Sequence, residues 1–413
     1  MFSDRMNSKN YDVIIAGAGP AGCACALSLA DTGLKIAILD KTVSPRDKIC
    51  GDALSKDVIN QLDKLPSCIK KSFGKISEKI SSTGVRFYSP ENECLEISFE
   101  RVERADISGY ICKRKYFDEV LITGLKEFSN IELFEDCEVS DIKVDNDGVS
   151  VFAGLKSFHA TIIVGADGVN SFVARKLSNI EKDKRNYCLG LRGYFENVSG
   201  FHPDNFIELH FYKDILPGYL WLFPMANNRA NVGIGMLANY VSDKKINLKI
   251  LLEKFITGHP NISARFKDAA QCGKYEAWGI PLGSVKRKIS GNRFLLAGDA
   301  ASLVDPFTGE GVGNAIRSGR VAAEHIVNCF EKQQFSCNFN IAYDNEIYRR
   351  MWKELKLSRS LQKLFKYPGL INYAIRKANH NGHFKELISN AMQNIDIKKR
   401  LLRPYLFYKT FIR

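Results

Sequence analysis

Apolar residues near the start of this 413-residue chain fall into two continuous runs separated by a helical segment. The first run, 11–16, is followed by a glycine-rich turn at 17–22. An apolar helical pattern then covers 23–31 and ends before Gly33, and the second run occupies 35–40. Short apolar runs on either side of a helix are typical of parallel strands buried on both faces. The pattern therefore predicts a β-α-β unit.

Alternation of apolar and polar residues dominates the middle of the chain. Residues 84–88 and 94–99 alternate around a turn at 89–92, and four more such segments follow between 187 and 237. A period of two is the pattern of strands with one buried face. It predicts a second domain built on an antiparallel sheet. The four later segments are 189–195, 206–212, 219–223 and 231–236.

The rest of the chain joins these two patterns. Apolar runs at 160–164 and 294–297 predict two further buried strands, and residues 273–281 return the chain to the first domain. After about residue 336 the pattern is helical. The predicted fold class is α/β, with a Rossmann-like domain interrupted by an antiparallel-sheet domain and followed by a helical C-terminal region. Helices are predicted over 116–121, 245–258 and 315–330, and the C-terminal helices break at 368–369 and at 404.

Composition narrows the class of protein. No apolar run reaches the roughly 18 residues that a membrane-spanning helix needs, and the first residues lack the apolar core of a signal peptide. We therefore expect a cytoplasmic protein. The eleven cysteines show no paired metal-ligand spacing, so we expect mostly reduced, buried thiols and no metal site.

The net charge of +13 comes from the C-terminal region. Residues 349–413 hold 16 Lys and Arg against 3 Asp and Glu, which leaves the remainder neutral. This basic surface is either solvated or docked on anionic lipid at the inner face of the membrane, because apolar residues are interleaved with the charges. Nucleic acid is not expected, since no recognition motif accompanies the charge. The interleaved apolar residues include Trp352, Leu355, Leu357, Leu361, Leu364, Phe365, Leu401, Leu402, Tyr405 and Phe407.

The first glycine-rich turn has the spacing of a dinucleotide fingerprint. Its glycines would bring a pyrophosphate to the N-terminus of the following helix. An acid at the end of the second strand, 18 residues past the last glycine, is placed to bind ribose hydroxyls. The alternative is a tight packing turn. The residues predicted to bind the dinucleotide are Gly17, Gly19, Pro20, Ala21, Gly22 and Asp40.

A second glycine-rich stretch, 298–314, begins 281 residues after Gly17. Asp299 follows a buried strand and would offer its carboxylate to a sugar-like hydroxyl. The glycines after Pro306 let the backbone approach a ligand, and the next helix directs its N-terminus there. A positive helix end suits a group that becomes anionic on reduction, such as a flavin. We expect the two stretches to fold together around one cofactor.

Together, these motifs resemble FAD proteins of the para-hydroxybenzoate hydroxylase type, over residues 11–327. Within that superfamily, the run Asp305-Pro306-Phe307-Thr308-Gly309-Glu310-Gly311 looks most like the geranylgeranyl reductase family. So does the pairing of residues 218–224 with 231–235. Residues 48–55 are similar to that family's Cys-Gly motif beside the flavin.

The chain departs from the family at three positions. Glutamate is frequent there at the position of Asp40, and glycine is usual at the positions of Asp52 and Ser302. Asp52 matters most, because a carboxylate near the flavin would repel the anionic reduced ring unless it points away or is protonated.

The resemblance implies FAD as cofactor, with NAD(P)H or a reduced redox protein as electron donor. It also implies a discontinuous FAD-binding domain and a substrate-binding sheet domain. The FAD-binding domain would comprise 1–80, 106–180 and 275–335, the sheet domain 81–105 and 181–274, and the basic helical region 336–413. Besides the first glycine turn and Asp40, the implied cofactor residues are Lys41, Arg46, Cys50, Gly51, Arg114, Val139, Asp167, Asp299, Gly309, Gly311, Val312 and Gly313.

Several of these residues acquire roles from the resemblance. Arg114 would face the pyrophosphate, with a solvated basic face as the alternative. Asp167 would support FAD and, in hydroxylases, pyridine nucleotide binding, with a structural turn as the alternative. Asp299 would hold the ribityl chain, and the backbone at 311–313 would face the pyrimidine edge of the ring.

Cys50 is the implied catalytic residue. Its thiol would lie near the isoalloxazine and orient an alkene or pass a proton, whereas the alternative is an inert packed cysteine. Tyr219, Trp221 and Phe223 alternate along one strand and so share a face. With Pro306 they would form the wall of an apolar substrate pocket, or else they belong to the sheet core.

The activity that the resemblance implies is reduction of carbon-carbon double bonds in a prenyl chain, on a lipid, quinone or other isoprenoid. Reduced FAD would supply the hydride. An FAD-dependent monooxygenase acting on an aromatic or polyketide-like substrate is the first alternative, because it shares the fold and most cofactor residues. A non-catalytic prenyl-binding protein on the same fold is the second.

Overall fold

The computed structural model of the chain describes residues 9–99, 109–178, 180 and 183–393. The predicted lipid-docking residues Leu401, Leu402, Tyr405 and Phe407 lie outside these described residues. The strands are β1 Lys9–Asn10, β2 Val13–Ala16, β3 Ile36–Leu39, β4 Ala53–Ser55, β5 Ile80–Ser82, β6 Gly84–Tyr88, β7 Cys94–Ser98, β8 Gly109–Ile111, β9 Ile131–Phe134, β10 Asp141–Val144, β11 Val149–Ala153, β12 Lys156–Ala160, β13 Ile162–Gly165, β14 Tyr187–Glu196, β15 Ile207–His210, β16 Tyr219–Met225, β17 Arg229–Leu237, β18 Ala270–Pro281, β19 Ser290–Gly291 and β20 Phe294–Leu296. The α-helices are α1 Pro20–Ser28, α2 Lys56–Leu62, α3 Ser67–Gly74, α4 Arg114–Leu125, α5 Ala238–Asp243, α6 Leu248–Gly258, α7 Pro260–Ser263, α8 Val312–Lys332, α9 Cys337–Leu364, α10 Pro368–His380 and α11 Gly382–Gln393.

The predicted β-α-β unit forms the centre of a six-stranded sheet. Its strand order is β19-β20-β13-β2-β3-β9, and every pair is parallel except β19 with β20. Every residue of β2 and β3 is buried, as continuous apolar runs require when helices cover both faces of a sheet. The predicted α/β fold class is confirmed.

Helices α1 and α8 are far apart in the sequence but cross closely in the structure. A Cβ atom at Gly319 would lie 2.1 Å from the carbonyl oxygen of Ala21, so glycine is what allows the crossing. The amide of Gly298 also donates a hydrogen bond to Ser318 Oγ, at 2.9 Å. The two glycine-rich stretches therefore lie on neighbouring elements of one core.

Both helices begin earlier than the periodicity predicts. Helix α1 begins at Pro20 rather than at 23, and α8 begins at Val312 rather than at 315. Proline suits the first position of a helix, because its fixed φ is helical and the amide it lacks would have no partner there. Glycine and proline nevertheless favour turns in a sequence pattern, so periodicity alone assigns these first helical turns to the loops.

The second large sheet has seven strands in the order β18-β14-β17-β16-β15-β6-β7. Its pairs are antiparallel, as predicted, except that β15 and β6 run parallel. The prediction is wrong at this pair because β7 ends at Ser98 and β15 begins only at Ile207, so no hairpin turn sets their relative direction.

The C-terminal helices pack onto both large sheets. Met351 and Leu355 of α9 belong to the core around the six-stranded sheet. Ile371 and Ile375 of α10 pack with Val85 in the cluster at the edge of the seven-stranded sheet. Leu355 is therefore a core residue, and its assignment to a lipid-docking surface is wrong. In the described part of the chain, no helix combines the length and apolarity needed to cross a membrane.

Candidate active site

The first glycine turn runs directly into α1. Gly17 has a φ of 101°, and a Cβ atom there would lie 2.4 Å from the carbonyl oxygen of Ala166. No side chain caps α1, whose N-cap is Gly19. The amide groups of the first helical turn and the positive end of the helix are thus left for a ligand, which is the arrangement that binds a pyrophosphate.

Arg46 supplies a cation beside this turn. Its Nη2 atom lies 3.5 Å from the position that a Cβ would occupy at Gly19. The same atom is 4.0 Å from Asp40 Oδ2 and 3.7 Å from Asp118 Oδ2. Its Nε is buried and has no hydrogen-bond partner among the described residues. A buried donor left over at a glycine turn fits an anionic group, such as the FAD pyrophosphate, in that position.

Asp40 lies against the same turn. Its Oδ2 accepts the amide of Ala18 at 2.6 Å, and its Oδ1 accepts the amide and hydroxyl of Thr42 at 2.9 and 2.5 Å. Lys41 is exposed, with its Nζ 3.8 Å from Glu138, and Val139 is half-buried. The structure therefore brings Asp40 to the glycine turn, and the ribose-binding role of Asp40 stays a prediction.

Arg114 is held in a buried ion pair. Its Nε and Nη2 each lie 2.8 Å from a carboxylate oxygen of Asp118, and the Arg114 side chain also interacts electrostatically with that of Cys50. Burial alone would lower the pKa of Arg114, but the negative partners raise it above its usual range. Arg114 is 4% exposed, so the alternative of a solvated basic face is wrong.

Asp167 caps the short helical segment that follows it. It accepts the hydroxyl of Ser171 at 2.5 Å and the amides of Phe172 and Val173 at 2.6 and 3.2 Å. Burial raises the pKa of this carboxyl. These bonds favour the structural-turn alternative for the side chain, and a role in cofactor binding stays a prediction.

A cavity of about 530 Å³ opens beside Asp299, just after β20, and is also lined by Gly168 and Ser302. Asp299 Oδ2 lies 3.5 Å from Lys48 Nζ. A Cβ at Gly311 would lie 3.5 Å from Asp299 Oδ1, so the backbone that precedes α8 passes the carboxylate closely. Among the described residues no side chain caps α8, so the first amides of this helix are left for a ligand, and a flavin at this helix end stays a prediction.

The remaining predicted residues of this stretch have structural contacts. A Cβ at Gly313 would lie 2.5 Å from Asp57 Oδ2, so its small size serves the packing of α2 against α8. Val312 is buried in the main core. Gly309 has a φ of 71°, which glycine adopts without strain.

The 305–310 loop is held from two sides. Tyr219 donates its hydroxyl hydrogen to the carbonyl of Thr308, and Ser55 donates to the carboxylate of Glu310. From α9, Gln362 donates to the carbonyl of the buried Pro306 at 2.5 Å. The loop therefore lies between the seven-stranded sheet and the C-terminal helices.

The aromatic side chains of β16 lie on one face, as predicted. The ring centroids of Tyr219 and Trp221 are 6.2 Å apart, and those of Trp221 and Phe223 are 6.3 Å apart. A Cβ at Gly51 would lie 3.2 Å from the Phe223 ring and 3.8 Å from Trp221 Nε1. This aromatic face therefore covers the turn that carries Cys50.

Asn231 of β17 connects that turn to the sheet. Its amide donates to the carbonyl of Cys50 at 2.9 Å and to Asp52 Oδ2 at 2.8 Å, while its Oδ1 accepts Trp221 Nε1–H at 2.8 Å. Tyr194 of β14 also donates to Asp52 Oδ2, at 2.7 Å. The Asp52 carboxylate is thus fully buried and directed at the sheet. Burial raises the pKa of Asp52 to about 6, against the lowering effect of these hydrogen bonds.

The two departures from the family pattern share one backbone feature. Asp52 has a φ of 65° and Ser302 a φ of 54°, both in the left-handed region. Glycine adopts that region most readily, and Asp tolerates it better than most other residues. The chain therefore has a conformation that suits glycine at both of these positions.

Sequence reasoning did not assign Asn231, Tyr194, Gln362 or Ser358 to the site. Asn231 is the one polar side chain within the apolar run 230–238 of the printed sequence, and a polar side chain in such a run is a signal that it bonds something buried. Tyr194, Gln362 and Ser358 lie in ordinary strand and helix patterns, which give no such signal.

These elements form a Rossmann-like domain in which a glycine turn, the uncapped start of α8 and a turn covered by the second sheet are brought together. The family described as FAD binding domain matches residues 10–332. The chain belongs to this family and is an FAD-dependent oxidoreductase, so the prediction of FAD as cofactor is confirmed.

Comparison with known proteins shows which members of this family the chain is similar to. A digeranylgeranylglycerophospholipid reductase from Thermoplasma acidophilum is 29% identical over 353 residues, which span 83% of this chain and 84% of that protein. Among solved structures, a geranylgeranyl bacteriochlorophyll reductase-like protein from the same organism superposes with a TM-score of 0.80 at 23% identity, covering 96% of this chain and 99% of that one. A triple mutant of a flavin-dependent brominase superposes with a TM-score of 0.74 at 19% identity, covering 96% and 99%. The resemblance to geranylgeranyl reductases is confirmed, and the brominase shares the fold.

Proposed function

We propose that this protein reduces carbon-carbon double bonds of a prenyl chain carried by a lipid, quinone or other isoprenoid. The observation that supports this most is the aromatic face of β16 above the Cys50 turn, where Trp221 and Phe223 cover Gly51. A curated relative carries the name of a prenyl-lipid reductase. An apolar wall beside a flavin is what an apolar alkene needs in order to bind near the ring.

The aromatic face is separate from the main core of its sheet. Leu220 and Leu222 point to the opposite face, where they pack in the cluster that includes Leu252 of α6. Trp221 and Phe223 form another cluster, with Ile111 and Tyr194 among its members. Both clusters are buried, and a substrate wall is the role that we propose for the side of the aromatic cluster that faces Gly51.

Isolated alkenes are poor hydride acceptors, so the site must hold the double bond closely and exclude water. Bound FAD, when reduced, supplies the hydride. Trp221 and Phe223 would orient the chain and keep water out. The Cys50 side chain interacts electrostatically with that of Arg114, which gives the thiol a cationic neighbour. Cys50 would thus hold the alkene or deliver the proton that completes the reduction.

The binding elements for FAD follow from the same geometry. The open amides of α1 and the Arg46 guanidinium would hold the pyrophosphate, and Asp299 would hold the ribityl chain. We further propose NAD(P)H or a reduced redox protein as the electron donor. Anaerobic addition of NADH, NADPH or reduced ferredoxin to the purified flavoprotein, with flavin absorbance as readout, tests this: failure of all three to bleach the flavin would contradict the proposal.

Product analysis tests the activity. The flavoprotein is reduced anaerobically and incubated with prenyl lipids that differ in chain length and headgroup, and the products are weighed by mass spectrometry. The proposal expects two hydrogen atoms to be added for each double bond lost. Oxygen incorporation in air, without hydrogenation, would instead favour the monooxygenase.

A C-terminal membrane contact is a separate proposal. Tyr367 and Tyr373 of the α10 region are 64% and 46% exposed and are flanked by Lys366 and Lys377, whereas the charge of the nearby Arg376 is paired with Glu91 and Glu93. Aromatic and basic side chains together favour an anionic lipid surface. Deletion of α9 to α11 would expose core residues, so the better test replaces Tyr367 and Tyr373 by serine. Binding to phosphatidylserine vesicles should weaken, while Ile250→Ser on the exposed side of α6 serves as the control; unchanged binding would contradict the contact.

A further inference from the structure

Asp52 is a fully buried carboxylate on a left-handed backbone. Removal of a carboxylate from water is strongly unfavourable unless protein donors replace the solvent. The chain places this carboxylate on a left-handed backbone that glycine would adopt more readily, so the donors that surround Asp52 indicate what the carboxylate does.

Three donors from three different elements meet at Asp52. Its Oδ1 accepts the backbone amide of Arg114 at the start of α4, at 3.2 Å. Its Oδ2 accepts the Tyr194 hydroxyl of β14 at 2.7 Å and the Asn231 amide of β17 at 2.8 Å. The backbone carbonyl of Asp52 in addition accepts the amide of Cys112, at 2.9 Å. Asp52 therefore joins the seven-stranded sheet to the start of α4.

The same donors also reach Cys50. Asn231, which bonds the Asp52 carboxylate, donates its other amide hydrogen to the Cys50 carbonyl at 2.9 Å. Arg114, whose backbone amide bonds Asp52, has its side chain close enough to that of Cys50 to interact with it electrostatically. Both residues that flank Gly51 are therefore fixed by one shared set of partners.

We propose that Asp52 is a positioning residue that fixes the Cys50-Gly51-Asp52 turn against β17 and α4, so that the Cys50 thiol stays beside the Arg114 guanidinium under the aromatic face of β16. The inference rests on the proposed function only for the catalytic role that it gives to Cys50. Asp52 itself acts through the turn.

Replacement by glycine separates this role from simple space filling. Glycine suits the left-handed backbone, so Asp52→Gly removes the carboxylate without adding backbone strain. If Asp52 only fills space, the variant should behave like the wild type. If Asp52 fixes the turn, Tyr194 and Asn231 lose a buried acceptor and the turn becomes mobile.

Hydrogen exchange of the purified flavoprotein, measured by mass spectrometry on peptides that cover residues 48–55, tests the turn. Asp52→Gly should speed exchange there by about tenfold, and Asp52→Asn, which tolerates the backbone and keeps one acceptor oxygen, should restore part of the protection. Asp145→Asn is the matched control, because Asp145 also accepts backbone amides but lies in the turn after β10. Wild-type exchange in both Asp52 variants would overturn the proposal.

Two further measurements separate positioning from a merely structural role. Because Tyr194→Phe removes one donor to Asp52, its effect on exchange should largely vanish when Asp52 is already glycine. The kcat of Asp52→Gly should fall about tenfold while KM for the prenyl substrate stays unchanged. Additive effects in the double variant, or faster exchange with an unchanged kcat, would overturn the positioning role. If the wild type reduces no prenyl alkene, the exchange data still decide whether Asp52 fixes the turn, so the two failures are distinguishable.

Discussion

The hydroxyl of Ser358 donates a hydrogen bond to Asp305 Oδ2 over 2.6 Å and so joins α9 to the 305–310 loop that precedes α8. The other oxygen of Asp305 accepts the amides of Phe307 and Thr308, each at 2.9 Å. Ser358 lies beyond residue 332, where the match to the FAD binding domain family ends. The C-terminal helices therefore shape the active-site loop from outside the family region.

Ser358→Ala should loosen this loop. Loss of one part-buried hydrogen bond to a carboxylate costs about 1–2 kcal/mol, which corresponds to a fall of a few degrees in Tm at most. Ser360→Ala removes an exposed hydroxyl from the same helix and should change Tm by less. Thermal unfolding of both flavoproteins gives the comparison, and equal Tm values would contradict the role of Ser358.

Arg46→Ala should weaken FAD binding. The Arg46 guanidinium is the cation that the structure places at the first glycine turn, and a charge-assisted bond to phosphate is worth about 1.5–3 kcal/mol, or roughly 10- to 100-fold in Kd. Lys249→Ala, on the exposed surface of α6, controls for the loss of one positive charge. The measurement is FAD titration of the apoprotein by flavin fluorescence. Equal affinities in the two variants would show that Arg46 does not meet the cofactor.

Ser302→Gly should raise stability slightly, whereas Ser302→Val should lower it. The left-handed backbone of Ser302 costs a non-glycine residue about 1 kcal/mol, and a β-branched side chain tolerates it least. Part of the gain from glycine is offset by the entropy of the unfolded chain. Tm of the two flavoproteins tests this order, and a lower Tm for Ser302→Gly than for Ser302→Val would contradict it.

Titration of the Asp52 carboxyl group should make the free energy of unfolding fall as pH rises. Burial raises its pKa in the folded state to about 6, compared with an ordinary value of 3.8. Between these values the folded protein binds a proton that the unfolded chain releases, so the free energy of unfolding falls by up to ~3 kcal/mol as pH rises through the window. Asp52→Asn does not titrate. The stability of the wild type relative to Asp52→Asn should therefore decline from about pH 4 to about pH 7.

Asp145, whose pKa is lowered in the folded protein where that of Asp52 is raised, provides the control for that experiment. Backbone hydrogen bonds from Gly148 and Asp147 lower the pKa of Asp145. Its contribution to stability is therefore lost as pH falls, so the wild type should gain relative to Asp145→Asn as pH rises. Denaturant unfolding at a series of pH values measures both differences. Slopes of the same sign for the two variants would contradict the assignment for Asp52.

Much of the fold could be predicted because the relevant patterns are local. The buried runs at β2 and β3 and the glycine spacing between them follow from burial on both faces and from the close approach at Gly17. The starts of α1 and α8 could not be placed, since Pro20 and Gly313 are residues that also form turns. The parallel pairing of β15 with β6 could not be placed either, because it joins segments far apart in the chain.

Site residues that belong to a sequence motif could be predicted. Site residues whose orientation depends on packing against distant parts of the chain could not. Asp299 and the glycines around it follow from the motif, and Trp221 and Phe223 follow from strand alternation. The direction of the Asp52 side chain depends on Tyr194 and Asn231, which come from other strands of the sheet. No local pattern contains that information. The carboxylate is directed at these two side chains, and its position relative to the flavin stays a prediction.

The most direct test of the proposed reduction is anaerobic turnover of the reduced flavoprotein with a geranylgeranyl lipid, followed by mass spectrometry of the extracted product. Reoxidation of the flavin should be matched by the addition of hydrogen pairs to the prenyl chain. Trp221→Ala should slow this reaction, because Trp221 belongs to the aromatic face above the Cys50 turn. An unchanged lipid beside a protein that hydroxylates or halogenates an aromatic substrate in air would contradict the proposed reduction.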